Sequence, residues 1–254
     1  MIYGLWQSAA GLQAQQYRQA IIANNLANAE TPGFKADRIA FQERLNTSQA
    51  GRAMNARHPV LDAMTGGLFE TEVYTDFRLN NSSLVSSNSA FDVAIDGGGF
   101  LTVQTSDGVR YTRDGRLIMD QQGTLRHVAS GGAVLDAQAQ PIALDPASPG
   151  KTKIDEGGWV KQDGNVVGRL AVVDFDDRQQ LEKTGQDLLT ADNARPIEAD
   201  GRIRQYCYEA SSVEPVETLV EMIAATRAYE INATMITMQD ETLGQVVNKV
   251  GRIG

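Results

Sequence analysis

The sequence predicts a mainly β protein with long α-helical termini, and three observations support this prediction. The stretch from Val213 to Val250 repeats apolar residues at every third and fourth position, as in a coiled-coil seam. The stretch from Met1 to Ala29 keeps the same spacing. Between them, short runs of alternating apolar and polar residues are separated by turn sequences such as Asp107-Gly108 and Asp163-Gly164.

The carboxy-terminal stretch has two adjacent apolar rows. The first row includes Leu219, Met222, Tyr229, Ile236, Leu243 and Val247. The second contains Val220, Ile223, Ala228, Ile231, Met235, Met238 and Val246. A helix with one wet face needs only one such row, so two rows predict contact with more than one neighbour. Ordering the backbone costs roughly 1 to 2 kcal/mol per residue, and burying one row does not repay this cost, so the helix needs partners.

The amino-terminal stretch offers one partner. Its row contains Ile2, Leu5, Ala9, Leu12, Gln16, Gln19, Ala23 and Leu26, and Thr31-Pro32-Gly33 ends the helix. Because the chain leaves along one helix and returns along the other, we expect the two to pair antiparallel in a coiled-coil-like layer. The alternative is that both are core helices of an ordinary globule.

The middle of the chain is predicted to be all-β. Strands are predicted from Phe69 onward, with clear alternation from Phe91. The predicted strands include Val109 to Arg113, Leu117 to Met119, Leu125 to Val128, Arg169 to Phe175 and Ile203 to Tyr208. The short turns between these runs favour antiparallel pairing in a sandwich or a distorted barrel. We therefore predict three regions. Residues 1–30 with 211–254 form a helical assembly domain, residues 31–70 an extended connector, and residues 71–210 a β-rich domain.

Composition narrows the classes of function. The 254 residues carry a net charge of -9, which argues against nucleic acid and against an anionic membrane surface as partners. Cys207 is the only cysteine, so no internal disulfide is expected. The first residues, Met1 to Trp6, lack the features of a cleaved secretory signal.

No stretch matches a catalytic or metal-binding motif. Gly97-Gly98-Gly99 is not followed by the lysine and helix of a phosphate loop. Asp174-Phe175-Asp176-Asp177 begins like a calcium loop, but Gln179 and Gly185 occupy the positions that need glycine and an acid. We therefore predict no enzyme activity, no cofactor, no metal and no small-molecule substrate.

Three stretches resemble bacterial flagellar basal-body rod and hook proteins. The first is Asn24-Asn25-Leu26-Ala27-Asn28-Ala29-Glu30-Thr31-Pro32-Gly33-Phe34-Lys35. The second is Asp92-Val93-Ala94-Ile95-Asp96-Gly97-Gly98-Gly99-Phe100 with Tyr111-Thr112-Arg113-Asp114-Gly115. The third is Ser211-Ser212-Val213-Glu214 through Arg227-Ala228-Tyr229-Glu230-Ile231-Asn232. In length and in its β segment, the chain is most similar to the proximal and distal rod proteins.

The resemblance implies a structural subunit of the flagellar rod. Such a chain would pass unfolded through the flagellar type III export apparatus without cleavage, then polymerise in the periplasm with copies of itself and with other rod and hook proteins. Its terminal helices would form the axial tube that transmits torque. The predicted assembly residues are Leu5, Leu12, Asn24, Asn25, Leu26, Asn28, Leu219, Met222, Ile223, Tyr229, Ile236, Leu243 and Val247.

Two rival functions remain from the residues alone. One is an adhesin-like binding module, with a ligand pocket in the β domain and helices that form only a small oligomeric stalk. The other is an enzyme that acts on the cell wall.

Overall fold

Two long helices lie at the ends of the described chain, as predicted. The computed structural model describes residues 2–43, 69–77, 83–148 and 151–250, with side chains described at 8–40, 73–77, 83–148, 151–246 and 248. Helix α1 is Ile2–Ala27 and helix α2 is Pro215–Val250. Pro215 is tolerated in the first helical turn, and Glu217 lies close to the positive end of the helix dipole. Within these ranges, neither helix is apolar enough over a sufficient length to cross a membrane.

The remaining elements in the described chain are mostly short strands. They are β1 Asp37–Glu43, β2 Phe69–Thr75, β3 Leu84–Ser86, β4 Val93–Asp96, β5 Phe100–Thr105, β6 Gly108–Thr112, β7 Leu117–Met119, β8 Leu125–His127, β9 Ala133–Val134, β10 Thr152–Ile154, β11 Trp159–Gln162, β12 Asn165–Arg169, β13 Val172–Phe175, β14 Glu182–Gly185, β15 Leu188–Thr190, β16 Pro196–Glu198, β17 Arg202–Gln205 and β18 Cys207–Glu209. The fold is therefore mainly β with two helices. The predicted connector region 31–70 includes β1, and its residues 44–68 lie outside the described chain.

The largest described sheet has nine strands. Seven follow the order β14-β15-β6-β5-β9-β8-β7, while β13 pairs with β5 and with β16. Strands β10-β11-β12 form a second sheet, and β1-β2, β4-β17 and β3-β18 form pairs. No described sheet closes on itself, so the barrel alternative is wrong, whereas the sandwich stays a prediction.

The described chain divides into two compact units. The first, here the helical unit, comprises residues 1–26, 37–74 and 215–254. The second, here the β unit, comprises residues 27–36 and 75–214. The short segment after α1 therefore belongs to the same compact unit as strands β3 to β18.

Strand β5 separates two apolar clusters in the β unit, because neighbouring residues of a strand face opposite sides. Leu101 belongs to a cluster with Val93, Leu125 and Val160. Phe100 belongs to an aromatic cluster. Its ring lies 6.0 Å from the rings of both Phe77 and Phe175.

The run Ile203 to Tyr208, predicted as one strand, is two strands with a break at Tyr206. Strand β17 pairs with β4, and β18 pairs with β3. Tyr206 has a φ of +61°, which bulky residues rarely adopt. Its N–H donates to the Asp92 carbonyl and its own carbonyl accepts from the Ser87 N–H, so hydrogen bonds on both sides hold this switch between partner strands.

Candidate functional site

The outward face of α2 carries a row of exposed apolar side chains. They are Val216, Val220, Ile223, Ile231, Met235, Met238 and Val246, each between 40% and 77% exposed. At 3.6 residues per turn, Val216, Val220, Ile223, Ile231 and Met238 lie roughly opposite the face centred on Ala225, which is fully buried, whereas Met235 and Val246 lie to one side of that face. Contiguous apolar surface of this kind is typical of a binding interface.

The buried face of α2 contacts α1 through small and polar residues. The amide of Gln239 donates to Ser8 at 3.3 Å, and the amide of Gln16 approaches the Tyr229 hydroxyl at 3.5 Å. The amide of Gln19 lies 3.5 Å from the Thr226 hydroxyl. Residues later in α1 therefore contact residues earlier in α2.

The predicted assembly residues differ in exposure. Leu219 and Ile223 are exposed at 48% and 55%. The half-buried members are Leu12, Leu26, Met222, Tyr229, Ile236 and Leu243. Leu5 and Val247 lie within the helices, but their side chains are outside the described set.

The asparagines near the end of α1 have different environments. Asn25 is buried, and its side-chain amide both donates to the Asp37 carbonyl at 2.8 Å and accepts from the Asp37 N–H at 2.9 Å. The side-chain oxygen of Asn28 accepts from the Thr31 hydroxyl at 3.2 Å. Asn24 is exposed. Asn25 therefore fixes the start of β1 relative to α1.

A buried ion cluster lies in the β unit. One carboxylate oxygen of Glu209 is 2.5 Å from Lys35 Nζ, and the other is 2.6 Å from Arg113 Nε. All three side chains are at most 3% exposed. Burial lowers the pKa of Lys35 and of Arg113, and the Glu209 carboxylate opposes this effect in both. Two buried cations therefore share one carboxylate.

Arg113 also binds the glycine-rich turn between β4 and β5. Its Nη1 donates to the carbonyls of Gly97 and Gly99 at 3.1 and 2.6 Å, and its Nη2 donates to the Ile95 carbonyl at 3.0 Å. A phosphate loop instead presents its N–H groups to an anion. This turn is thus a structural element that Arg113 holds by its carbonyl groups.

The segment after α1 docks beside Glu209. The N–H of Gly33 donates to the Glu209 carbonyl at 2.8 Å, and the Lys183 ammonium donates to the Lys35 carbonyl at 2.6 Å. The same ammonium lies 4.2 Å from the ring centre of Phe34. Gly33 has a φ of +71°, and any side chain there would overlap the backbone of Arg113. Glycine is therefore required at position 33 both by conformation and by close packing.

A second buried cluster joins Asp114, His127 and Ser130, the residue types of a hydrolase triad. Asp114 is fully buried. Its Oδ2 lies 3.0 Å from Arg116 Nη2 and 3.3 Å from His127 Nε2. Burial favours the neutral acid, but the contacts with His127 and Arg116 outweigh it and lower the pKa of Asp114. His127 Nδ1 accepts the backbone N–H of Ser130, and the serine oxygen accepts that of Gly132. These bonds close the turn between β8 and β9, which gives the cluster a structural role.

Other candidate sites are polar or already paired. Both carboxylate oxygens of Asp174 bind Arg178, at 2.8 and 2.5 Å. No group of three or more potential metal ligands occurs within the described residues. A cleft of about 430 Å³ is lined by Arg110, Arg126 and Ser130. Arg126 in this cleft is paired with Asp120 at 2.6 Å.

Three segments of the chain match family models of flagellar proteins. Residues 8–35 match the flagella basal body rod protein, and residues 94–168 match the D1 domain of the flagellar hook protein FlgE/F/G. Residues 204–249 match the carboxy-terminal region of the flagellar basal body rod FlgEFG protein. The class is therefore that of flagellar rod and hook proteins. Lys35, Arg113 and Glu209 each come from a different one of these matched segments.

Similar proteins span nearly the whole chain. The flagellar basal-body rod protein FlgF of Caulobacter vibrioides is 34% identical over 235 residues, which cover 92% of this chain and 91% of the relative. The flagellar basal-body rod protein FlgG of Bacillus subtilis is 31% identical over 268 residues, which cover 98% of this chain and 99% of the relative. The flagellar hook-basal body complex protein FlhO of Bacillus subtilis is 27% identical over the full length of both chains. The chain belongs to the flagellar basal-body rod protein family.

This family confirms the resemblance seen in the sequence. Its members are structural proteins of the flagellar basal body rather than enzymes, so the prediction of a non-enzymatic function is also confirmed. Membership implies assembly with other flagellar rod and hook proteins.

Proposed function

We propose that the chain is a subunit of the flagellar rod that polymerises through α1 and α2 into a helical tube transmitting torque. The observation that carries this proposal is the exposed apolar row of α2, most of which lies opposite the face that contacts α1. Each of these side chains, if buried, would contribute roughly 1.5 to 3 kcal/mol to an interface. Contacts between copies that do not close into a ring generate a helical assembly.

The two helices are proposed to pair antiparallel as one coiled-coil-like layer. The three hydrogen bonds between α1 and α2 support this pairing because their positions run in opposite directions. Residues 1–30 and 211–254 would then act as the assembly domain, joined by the connector 31–70 to the β domain 71–210, which we propose is a sandwich. The predicted assembly residues would lie at contacts within this layer or between neighbouring subunits.

Copies of this chain are proposed to assemble with one another and with other rod and hook proteins in the periplasm. The chain would reach this compartment through the flagellar export apparatus without a cleaved signal peptide. The family assignment supports this route.

A double substitution tests the proposal. Ile223→Asp with Ile231→Asp places two charges on the exposed apolar row, where they would have to be desolvated in an interface. In the bacterium that encodes the chain, we expect swimming in soft agar to be lost, while near-ultraviolet circular dichroism of the purified variant stays unchanged. Thr237→Asp is the control for a charge added to the same helix, because Thr237 is exposed but is not one of the apolar side chains of this row.

Normal swimming by the double variant would refute the assembly surface.

A further inference from the structure

The two segments next to the helices lie side by side in the β unit. We call residues 28–36 and 209–214 the exit segments. The Ser211 hydroxyl donates to the Asn28 carbonyl at 2.9 Å, and the Ser212 N–H donates to the Phe34 carbonyl at 2.9 Å. The Ala36 N–H donates to the Ser212 hydroxyl at 2.8 Å. These bonds join the residues that follow α1 to those that precede α2.

Glu209 anchors this pair of segments to the strands. Its carbonyl accepts from Gly33, and its carboxylate binds Lys35 of one exit segment and Arg113 at the end of β6. Arg113 is in turn fixed by the carbonyls between β4 and β5. The exit segments are therefore held by directional, charge-assisted bonds that lead through Arg113 to the turn between β4 and β5.

We infer that Lys35 and Glu209 are positioning residues for assembly: they hold the exit segments together, so that α1 ends and α2 begins at adjacent points and the apolar rows of the two helices lie in one register. This inference rests on the proposed function. It assigns to a buried pair outside the exposed apolar row the task of setting where the assembly surface begins.

Removal of Lys35 and removal of Glu209 have different effects on the balance of buried charge, and this difference separates a positioning role from a role in folding. Loss of Glu209 would leave two buried cations without their shared carboxylate. Loss of Lys35 leaves Arg113 and Glu209 as a balanced pair with all of their remaining bonds. Lys35→Met therefore releases the exit segments with little effect on the strands, and its long apolar side chain fills the space of the lysine stem.

The experiment compares Lys35→Met with Lys153→Met in the full-length chain. Lys153 is exposed on β10, so it controls for the loss of one positive charge. In Lys35→Met we expect amide hydrogen exchange at Ala36 and Ser212 to be at least tenfold faster, while exchange at Val103 in the central strand β5 stays unchanged. The same substitution in the bacterium should abolish swimming, and Lys153→Met should swim normally.

A second variant keeps the inference testable if Lys35→Met does not fold. Ser212→Ala removes the acceptor of the Ala36 N–H at an exposed position without changing any charge. We expect faster exchange at Ala36, unchanged exchange at Val103 and a smaller swimming halo.

Two results would overturn the inference. One is normal swimming despite released exit segments. The other is equal loss of protection at Ala36 and Val103 in both variants, which would make the pair a folding element only. Deletion of the whole gene distinguishes failure of the proposed function from failure of the inference about the exit segments. A deletion strain that still swims would refute the proposed function, while the exchange data would still report on the exit segments.

Discussion

Replacing Glu209 with glutamine is expected to be one of the most damaging single changes in the β unit. The side chain of Glu209 is fully buried, and its partners Arg113 and Lys35 are 1% and 3% exposed. Glutamine keeps the shape of the side chain but leaves Lys35 and Arg113 without the carboxylate that they share. Breaking a buried ion pair by removing one partner costs about 3 to 5 kcal/mol. With a urea dependence of about 2 kcal/mol per molar, the unfolding midpoint should fall by about 1.5 to 2.5 M.

The assay is urea unfolding of the full-length chain, followed by near-ultraviolet circular dichroism. This signal reports on the β unit because Tyr111 and Phe175 pack there with ring centres 4.9 Å apart. Glu198→Gln is the matched control, since Glu198 is exposed on β16 and should change the free energy of unfolding by less than about 0.5 kcal/mol.

A double variant checks the cause of the destabilisation. Lys35→Met together with Glu209→Gln removes one of the two cations that share the Glu209 carboxylate, so its loss of stability should be smaller than the sum of the single losses. The reasoning fails if the losses are additive, or if Glu209→Gln and Glu198→Gln unfold at the same urea concentration.

Two further predictions concern glycine 33 and the acid limb of stability. Gly33→Ala should lower the free energy of unfolding by about 1 to 3 kcal/mol more than Gly164→Ala does. Both glycines have a positive φ, but of the two only Gly33 would bring an added Cβ against backbone atoms. Equal urea midpoints for the two variants would contradict this. The pKa of Asp114 is raised by burial but lowered further by His127 and Arg116, so its net shift is downward. Its contribution to stability is therefore full above about pH 4 and lost as the pH falls through the folded pKa. Asp114→Asn should flatten the decline in unfolding free energy below about pH 4, and an unchanged slope in urea titrations would refute this contribution.

The helices were predictable because their apolar spacing is sustained over many turns. The face that contacts α1 was harder to predict, because small or polar residues dominate its centre. Ala225 is fully buried, and Gly11 lies against Asn232. Spacing of large apolar residues does not reveal a contact face made of small residues. It instead predicted that Leu219 lies at a contact, but Leu219 is exposed. Short or irregular strands such as β9 and β14 were missed for a related reason, since they contain too few alternating residues to produce a pattern.

The ion cluster could not be found from local patterns. Lys35, Arg113 and Glu209 are far apart in the sequence, and a charged residue is usually exposed. A weak signal was present: Lys35 and Arg113 lie within the stretches that resemble rod and hook proteins, and Glu209 lies two residues before another. The break at Tyr206 was also hidden, because an aromatic residue inside an alternating run favours a continuous strand.

The buried cluster also affects when the chain can fold. The Lys35–Glu209 contact joins residues 174 positions apart, and contacts across such distances form only after a large loss of chain entropy. Until Glu209 is present, burial of Arg113 would leave a cation without its carboxylate. If the chain is exported with its amino terminus first, Glu209 must therefore have emerged before the β unit can reach its final structure.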